Sequence, residues 1–171
     1  QGSDYRITLA EGKVLNVFHR IPAMVVGDAE HSIIELVAIE NQNPRRGKKT
    51  SSASSLVELE LGATEKAFLK KQGMTPDSVP SKGLKVFLRA NGNWSTGGSI
   101  ENVIQCIHPD NLDLARRLSS DFGVPVIGVD VITGDISRSY LEGDLHIIEV
   151  NDSPGILGYW DKDDCYIDQG Q

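Results

Sequence analysis
The chain is poor in cysteine. Cys106 and Cys165 are the only two, far apart, with no CxxC pair and no histidine spacing that would hold zinc. Cys106 by itself reads as a buried free thiol. Long apolar runs are also missing. None approaches the roughly 20 residues that cross a bilayer, and no signal peptide opens the chain, so a cytoplasmic setting without membrane partners is expected. Positive charge is scarce as well: 17 lysines and arginines face 24 aspartates and glutamates, a net −7 spread along the sequence. That is the wrong sign for a surface that grips nucleic acid. Arg45, Arg46, Lys48 and Lys49 are four basic residues in an acidic chain, which reads as a solvated loop. Asp161, Asp163, Asp164 and Asp168 do not make a calcium loop, because Tyr166 stands where an EF-hand needs glycine and no closing glutamate follows. No GxxxxGK phosphate loop occurs, and His19, His31, His108 and His146 show no ligand spacing. Asn93-Trp94-Ser95 and Asn151-Asp152-Ser153 fit the glycosylation pattern, but nothing directs secretion.

What is present suffices for a core. The 171 residues, 39% of them hydrophobic, fit one domain. Segments 5–9 and 14–18 are β-prone runs around Glu11-Gly12 and predict a hairpin. Ile33, Leu36 and Val37 at helical spacing predict a helix over 31–41, ended by Asn43-Pro44. Segment 48–55 is polar, low in complexity and expected to be mobile. A second helix is expected from Thr64 as its cap to Gln72, stopped by Gly73, followed by a strand over 85–89. Residues 91–99 form a glycine- and hydroxyl-rich loop, and 102–107 predict a strand. Pro109 after His108 marks a helix start, with Leu112, Ala115, Leu118 and Phe122 as its buried stripe and Gly123 as its stop. Strands follow at 126–133 and 146–150. The elements do not alternate as βαβ, so the expected class is α+β, with a mostly antiparallel sheet.

The chemistry sits where strand parity breaks from apolar to polar. Over 145–151, Leu145, Ile147, Glu149 and Asn151 point to one face and His146, Ile148 and Val150 to the other. Asp130 interrupts the otherwise buried-looking run Val126-Ile127-Gly128-Val129-Asp130-Val131-Ile132, where an unpaired carboxylate is costly. If the two strands are neighbours, Asp130, Glu149 and Asn151 converge. Hard oxygen ligands without thiol or imidazole suit magnesium. After them, Asn151-Asp152-Ser153-Pro154-Gly155 turns sharply and offers backbone amides to an anion.

Glu149-Val150-Asn151-Asp152-Ser153-Pro154-Gly155 resembles the E-x-N-x-x-P-G signature of the ATP-grasp ligases. The run Arg89-Ala90-Asn91-Gly92-Asn93-Trp94-Ser95-Thr96-Gly97-Gly98 is similar to the R-x-x-x-N-L-S-T-G-G loop of cyanophycin synthetases and of bifunctional glutathione synthetases, with Trp94 in place of leucine. Gly2-Ser3-Asp4-Tyr5-Arg6, Asn43-Pro44-Arg45-Arg46-Gly47, His108-Pro109-Asp110-Asn111, Gly128-Val129-Asp130-Val131 and Asp135-Ile136-Ser137 fall in that family's order. The likeness runs from about residue 2 to 155, and 156–171 departs from it.

The resemblance implies the C-terminal ATP-grasp subdomain, at 1–155 with a helical insertion at about 22–82, of a ligase joining a carboxylate to an amine through an acyl phosphate. It implies magnesium on Asp130, Glu149 and Asn151, as two ions with manganese as a substitute. It places Arg89 at the transferred phosphoryl group, and Asn93 with Ser95, Thr96, Gly97 and Gly98 over the acyl-phosphate site. Arg6, Arg89 and Glu149 are the implied ATP-binding residues, Arg6 near the nucleotide hinge. Trp94 in that loop is expected to touch a ligand. The implied partners are an amino-acid or peptide substrate and a separate N-terminal subdomain carrying the phosphate-binding lysines. The chain begins at Gln1, downstream of that subdomain, so by itself it is expected to be inactive and to self-associate through exposed apolar surface. The alternative is a remnant or fragment that keeps the fold as a binding or structural module.

Overall fold
A computed structural model describes residues 2–48 and 54–154. In chain order these form β1 (Ser3–Ala10), β2 (Lys13–Ile21), β3 (Met24–Val26), α1 (Ile33–Glu40), β4 (Arg46–Gly47), β5 (Leu56–Val57) and α2 (Ala63–Lys71). There follow β6 (Lys85–Phe87), a 3-10 turn (Trp94–Thr96), β7 (Ser99–Asn102), α3 (Pro109–Phe122), β8 (Val126–Thr133) and β9 (His146–Asn151). The class is α+β, as expected, with antiparallel pairing everywhere in the register of the main strands β1, β2, β8 and β9. Two compact units result, one from the described residues of 1–20 and 100–171 and one from those of 21–99. The expected insertion at 22–82 falls inside the second unit. Of the segment expected to be mobile, 49–53 lie outside the described residues, as do Gly155 and 156–171.

In the first unit a five-stranded sheet has the order β7-β2-β1-β8-β9. The hairpin β1–β2 turns through Glu11 and Gly12 at φ 50° and 75°, left-handed values whose twist matches that of the strands. Period-2 alternation sends Tyr5, Ile7 and Leu9 with Val17, Ile127, Val129 and Val131 to one face, where Ala115 of α3 completes the core. α3 begins at Pro109, with the His108 ring accepting from the Asp110 N–H at 3.2 Å, and ends at left-handed Gly123. Its buried residues are Asn111, Ala115 and Ser119, whereas Phe122 is 61% exposed and does not join the stripe. The chain turns back at Gly123, and Val124 takes the last place against the core, held by Ser119 through both its N–H and its C=O.

β7 ends where the expected 102–107 strand was to begin. The Asn102 side chain accepts from the Ile104 N–H at 3.2 Å, and this local turn breaks the strand. Cys106 therefore sits in an exposed turn as a free thiol, not in the core.

In the second unit, α1 opens with the Glu35 carboxylate accepting from both the N–H and hydroxyl of Ser32, at 2.8 and 2.6 Å. Ile33, Leu36 and Val37 are buried as their spacing predicts, against Val25, Leu59, Leu69, Val86 and Leu88. The Asn41 side chain, just past α1, holds Leu59 by donating to its C=O and accepting from its N–H. α2 is capped by Gly62, not Thr64; it starts early enough for Glu65, buried in its first turn, to reach Arg89. Gly73, at φ 74°, stops it as expected.

Candidate functional site
One cross-strand row of the main sheet carries the charged groups. Arg6 on β1 lies opposite Asp130 on β8, and Asp130 lies opposite Glu149 on β9. The parity that sends Val129 and Val131 to the core turns Asp130 to the other face, yet its side chain is only 3% exposed. Two arginines answer that burial. Arg6 donates from Nε and Nη2 to the two carboxylate oxygens at 2.6 and 2.7 Å, a bidentate fork. Arg20, from β2, comes within 2.9 Å of Asp130 Oδ2 and donates to Asp4 at 2.7 Å. The Arg6 bonds take two of the carboxylate's roughly four acceptor positions and the Arg20 ion pair crowds a third, leaving room for about one more bond.

Glu149 is exposed on the same face. Asn151, two residues on, lies opposite Gly128; with its amide oriented as its neighbours require, its nitrogen donates to Glu149 Oε1 at 2.9 Å and its oxygen accepts from Arg6 at 3.3 Å. A side chain at Gly128 would force Pro154 to move, because a Cβ there would sit 2.8 Å from Pro154 Cβ. The turn after Asn151 thus folds back onto β8. One detail of parity departs from expectation. A register shift between Asp130 and Val131 pairs Val131 with Ile147, so Ile147 leaves the face of Glu149 and Asn151.

Arg6, Asp130, Glu149 and Asn151 therefore share one face. Among the described residues, no three of His, Cys, Asp and Glu gather in a metal-sized group; the set here is two carboxylates and an amide. These are hard oxygen donors, and the free position on Asp130 and the exposure of Glu149 fit a magnesium ion. Asn151 would have to turn its amide to present oxygen. Asp135, downstream, belongs to a local turn. Its carboxyl is held below the usual carboxylate range chiefly by the Ser137 hydroxyl at 2.6 Å, then by the Ser137 N–H.

The remaining candidates lie in the second unit. Arg89 donates to Glu65, whose side chain is 4% exposed. The Asn93 carbonyl accepts from the N–H groups of Thr96 and Gly98 and from the Thr96 hydroxyl, closing the turn, and Ser95 is exposed. Gly97 has φ 86° and would drive a Cβ to 2.8 Å from Leu59 Cδ2; at Gly98 a Cβ would meet the Gly92 carbonyl at 2.7 Å. Both positions need glycine for close approach. Trp94 donates from its ring to the Ser55 carbonyl at 2.8 Å, so the protein itself holds the indole's one polar group.

Two residues escaped the sequence reading. Arg20 carries a signal only once the hairpin register pairs it with Asp4. Arg46 was read with a solvated loop, but its side chain is 5% exposed. It donates to Glu40 at 2.9 Å, to the Val57 carbonyl at 2.7 Å and to the Gly97 carbonyl at 3.2 Å. Its sequence cue was its place in the run Asn43-Pro44-Arg45-Arg46-Gly47.

No family model matches the chain. The cyanophycin synthetase of Crocosphaera subtropica is 41% identical over 155 residues, 91% of this chain and 18% of that protein. The glutathione biosynthesis bifunctional protein GshAB of Mannheimia succiniciproducens is 40% identical over 159 residues, 91% of this chain and 21% of that protein. A crystal structure of a bifunctional glutathione synthetase from Pasteurella multocida matches with a TM-score of 0.76 at 38% identity, over 91% of this chain and 21% of that one. The chain spans about a fifth of the length of these relatives. By sequence and by fold, it is a homologue of one segment of the ATP-grasp ligases.

Proposed function
We propose that this chain is the magnesium- and nucleotide-holding segment of an ATP-dependent carboxylate–amine ligase, working in a larger protein on an amino-acid or peptide substrate. The observation that carries the reading is the shared face of Arg6, Asp130, Glu149 and Asn151. A carboxylate is a poor electrophile because its oxygen leaves badly. In the proposed reaction a substrate carboxylate oxygen attacks the γ-phosphorus of ATP, ADP departs, and an acyl phosphate forms. The amine then attacks the carbonyl carbon and inorganic phosphate leaves.

Magnesium bound at Asp130, Glu149 and Asn151 supplies charge neutralisation between the phosphates and the carboxylate. Arg6 holds Asp130 in place for that duty. Arg89 offers donors to the phosphoryl oxygens, and the loop of Ser95, Thr96, Gly97 and Gly98 keeps water from the intermediate. A partner subdomain with phosphate-binding lysines is required, so the 171 residues alone do not turn over ATP. The setting we propose is cytoplasmic; no helix among the described residues is long and apolar enough to cross a membrane.

The rival reading, a module without chemistry, draws on one observation: Asp130 and Arg89 each already have a protein partner. Oxygen-18 in the substrate carboxylate distinguishes them. With the whole protein, label is expected in the released phosphate, with ADP as the other product. AMP and pyrophosphate would refute the acyl-phosphate route, and no ATP turnover at all would favour the rival.

A further inference from the structure
We propose that the cleft beside Arg46, in the second unit, binds a single free α-amino acid with an aliphatic side chain. The cleft measures about 270 Å³, just below the ~300 Å³ at which ligand pockets usually begin, so it suits one amino acid better than a peptide or nucleotide. Met24, Leu36, Ile39 and Leu56 give it apolar walls, and Arg46 and Glu40 give it both signs of charge.

Arg46 is the reason to expect a ligand. Its Nε and one terminal nitrogen are used by Glu40 and two carbonyls, and the second terminal nitrogen bonds to no other described residue. The guanidinium is 5% exposed, that nitrogen is not sealed from water, and a carboxylate in the cleft would replace water there with a charge-assisted bond. Glu40 lines the cleft, is 40% exposed and meets Arg46 through Oε1; its Oε2 has no bond to a described residue and is available to an ammonium. A carboxylate and an ammonium on one carbon, with an aliphatic side chain, match cation, anion and apolar wall together. A fatty acid leaves Glu40 without its partner, and an alkylamine leaves Arg46 without one. Within the ligase reading the occupant is the amine substrate. That role rests on the reading, whereas binding itself does not.

The test is an amide NMR titration of the 171-residue chain with L-leucine, 4-methylpentanoate and 3-methylbutylamine. Leucine should shift the amides of Arg46 and Gly97, and each analogue should bind roughly ten- to a hundredfold more weakly. Val26→Trp, at a cleft-lining residue that is 47% exposed, should weaken leucine at least as much with the melting temperature unchanged. Glu40→Gln should narrow the gap between leucine and 4-methylpentanoate. Absence of shifts with leucine at millimolar concentration, equal binding of the analogues, or full affinity in V26W each overturns the proposal. Leucine binding with no ligation of leucine by the whole protein leaves the site standing and removes only the amine-substrate role.

Discussion
The pairing of Arg6 with Asp130 makes a quantitative demand on stability. Arg6→Met deletes two short charge-assisted bonds, at 2.6 and 2.7 Å, to a carboxylate that is 3% exposed. Stripping a buried charge of its partner costs about 3–5 kcal/mol. Asp130 keeps Arg20 at 2.9 Å, so the low end, about 3 kcal/mol, is expected. Arg20→Met should cost less, about 1–2 kcal/mol, because both Arg6 bonds survive and Asp4, 27% exposed, can turn to water. The decisive variant is Asp130→Leu placed on Arg6→Met. It removes the orphaned charge, and replacing a buried pair by apolar groups is often near neutral. The double variant should therefore be more stable than Arg6→Met, with a coupling of at least about 2 kcal/mol between the sites. Equilibrium urea unfolding with an unchanged slope is the assay. Arg6→Met within about 0.5 kcal/mol of the parent, or a double variant equal to the sum of its parts, would refute the reasoning.

Two other outcomes are expected. Gly128→Ala should push Pro154 off β8, because its Cβ would lie 2.8 Å from the ring carbon; a loss of about 1–3 kcal/mol in urea unfolding is expected, and parental stability would contradict the packing. At the start of α1, Asp28 is held far below the usual range, chiefly by the backbone N–H of His31, and His31 is raised, chiefly by its bond to Asp28 at 2.6 Å. The His31 contribution is complete below its unfolded pKa of about 6.5 and fades as pH rises through the raised folded value; that of Asp28 is complete above about 3.9 and fades on acidification. The pair is thus strongest between about pH 4 and 6.5. A histidine NMR titration should give His31 a midpoint above the ordinary one and return it there in Asp28→Asn, and an ordinary midpoint in the parent would be the contrary result.

Much of the main sheet was legible because period-2 alternation is a local signal. The hairpin turn, β8 and β9 follow from runs of valine and isoleucine broken by Glu11-Gly12 and Asp130. The same parity let Asp130 and Glu149 converge if their strands were neighbours, and β8 and β9 do pair. It failed at Ile147, because a register shift is a property of two strands and no single strand announces it. β7 was misplaced for a different reason. The side chain of Asn102 competes for the backbone and ends β7 at the residue where the expected 102–107 strand begins. Arg20 and Arg46 were invisible because their partners, Asp4 and Asp130 for one and Glu40, Val57 and Gly97 for the other, are brought to them by folding.

Partners brought together by folding also make a buried carboxylate such as Asp130 tolerable. A buried carboxylate kept solely for a metal would destabilise the chain whenever the metal was gone. Among the described residues of this cross-strand row, Arg6 and Arg20 balance Asp4 and Asp130, and Glu149, which is exposed, remains over. Within that row the positive and negative charges nearly cancel. The cost moves to binding: a cation arriving at Asp130 meets two guanidiniums already there, and repulsion between like charges weakens it. Phosphates change the balance, because they give those arginines new anionic partners while the cation takes the carboxylates. On the proposed reading, metal and nucleotide therefore bind better together than either does alone, through a coupling carried by Arg6 and Arg20.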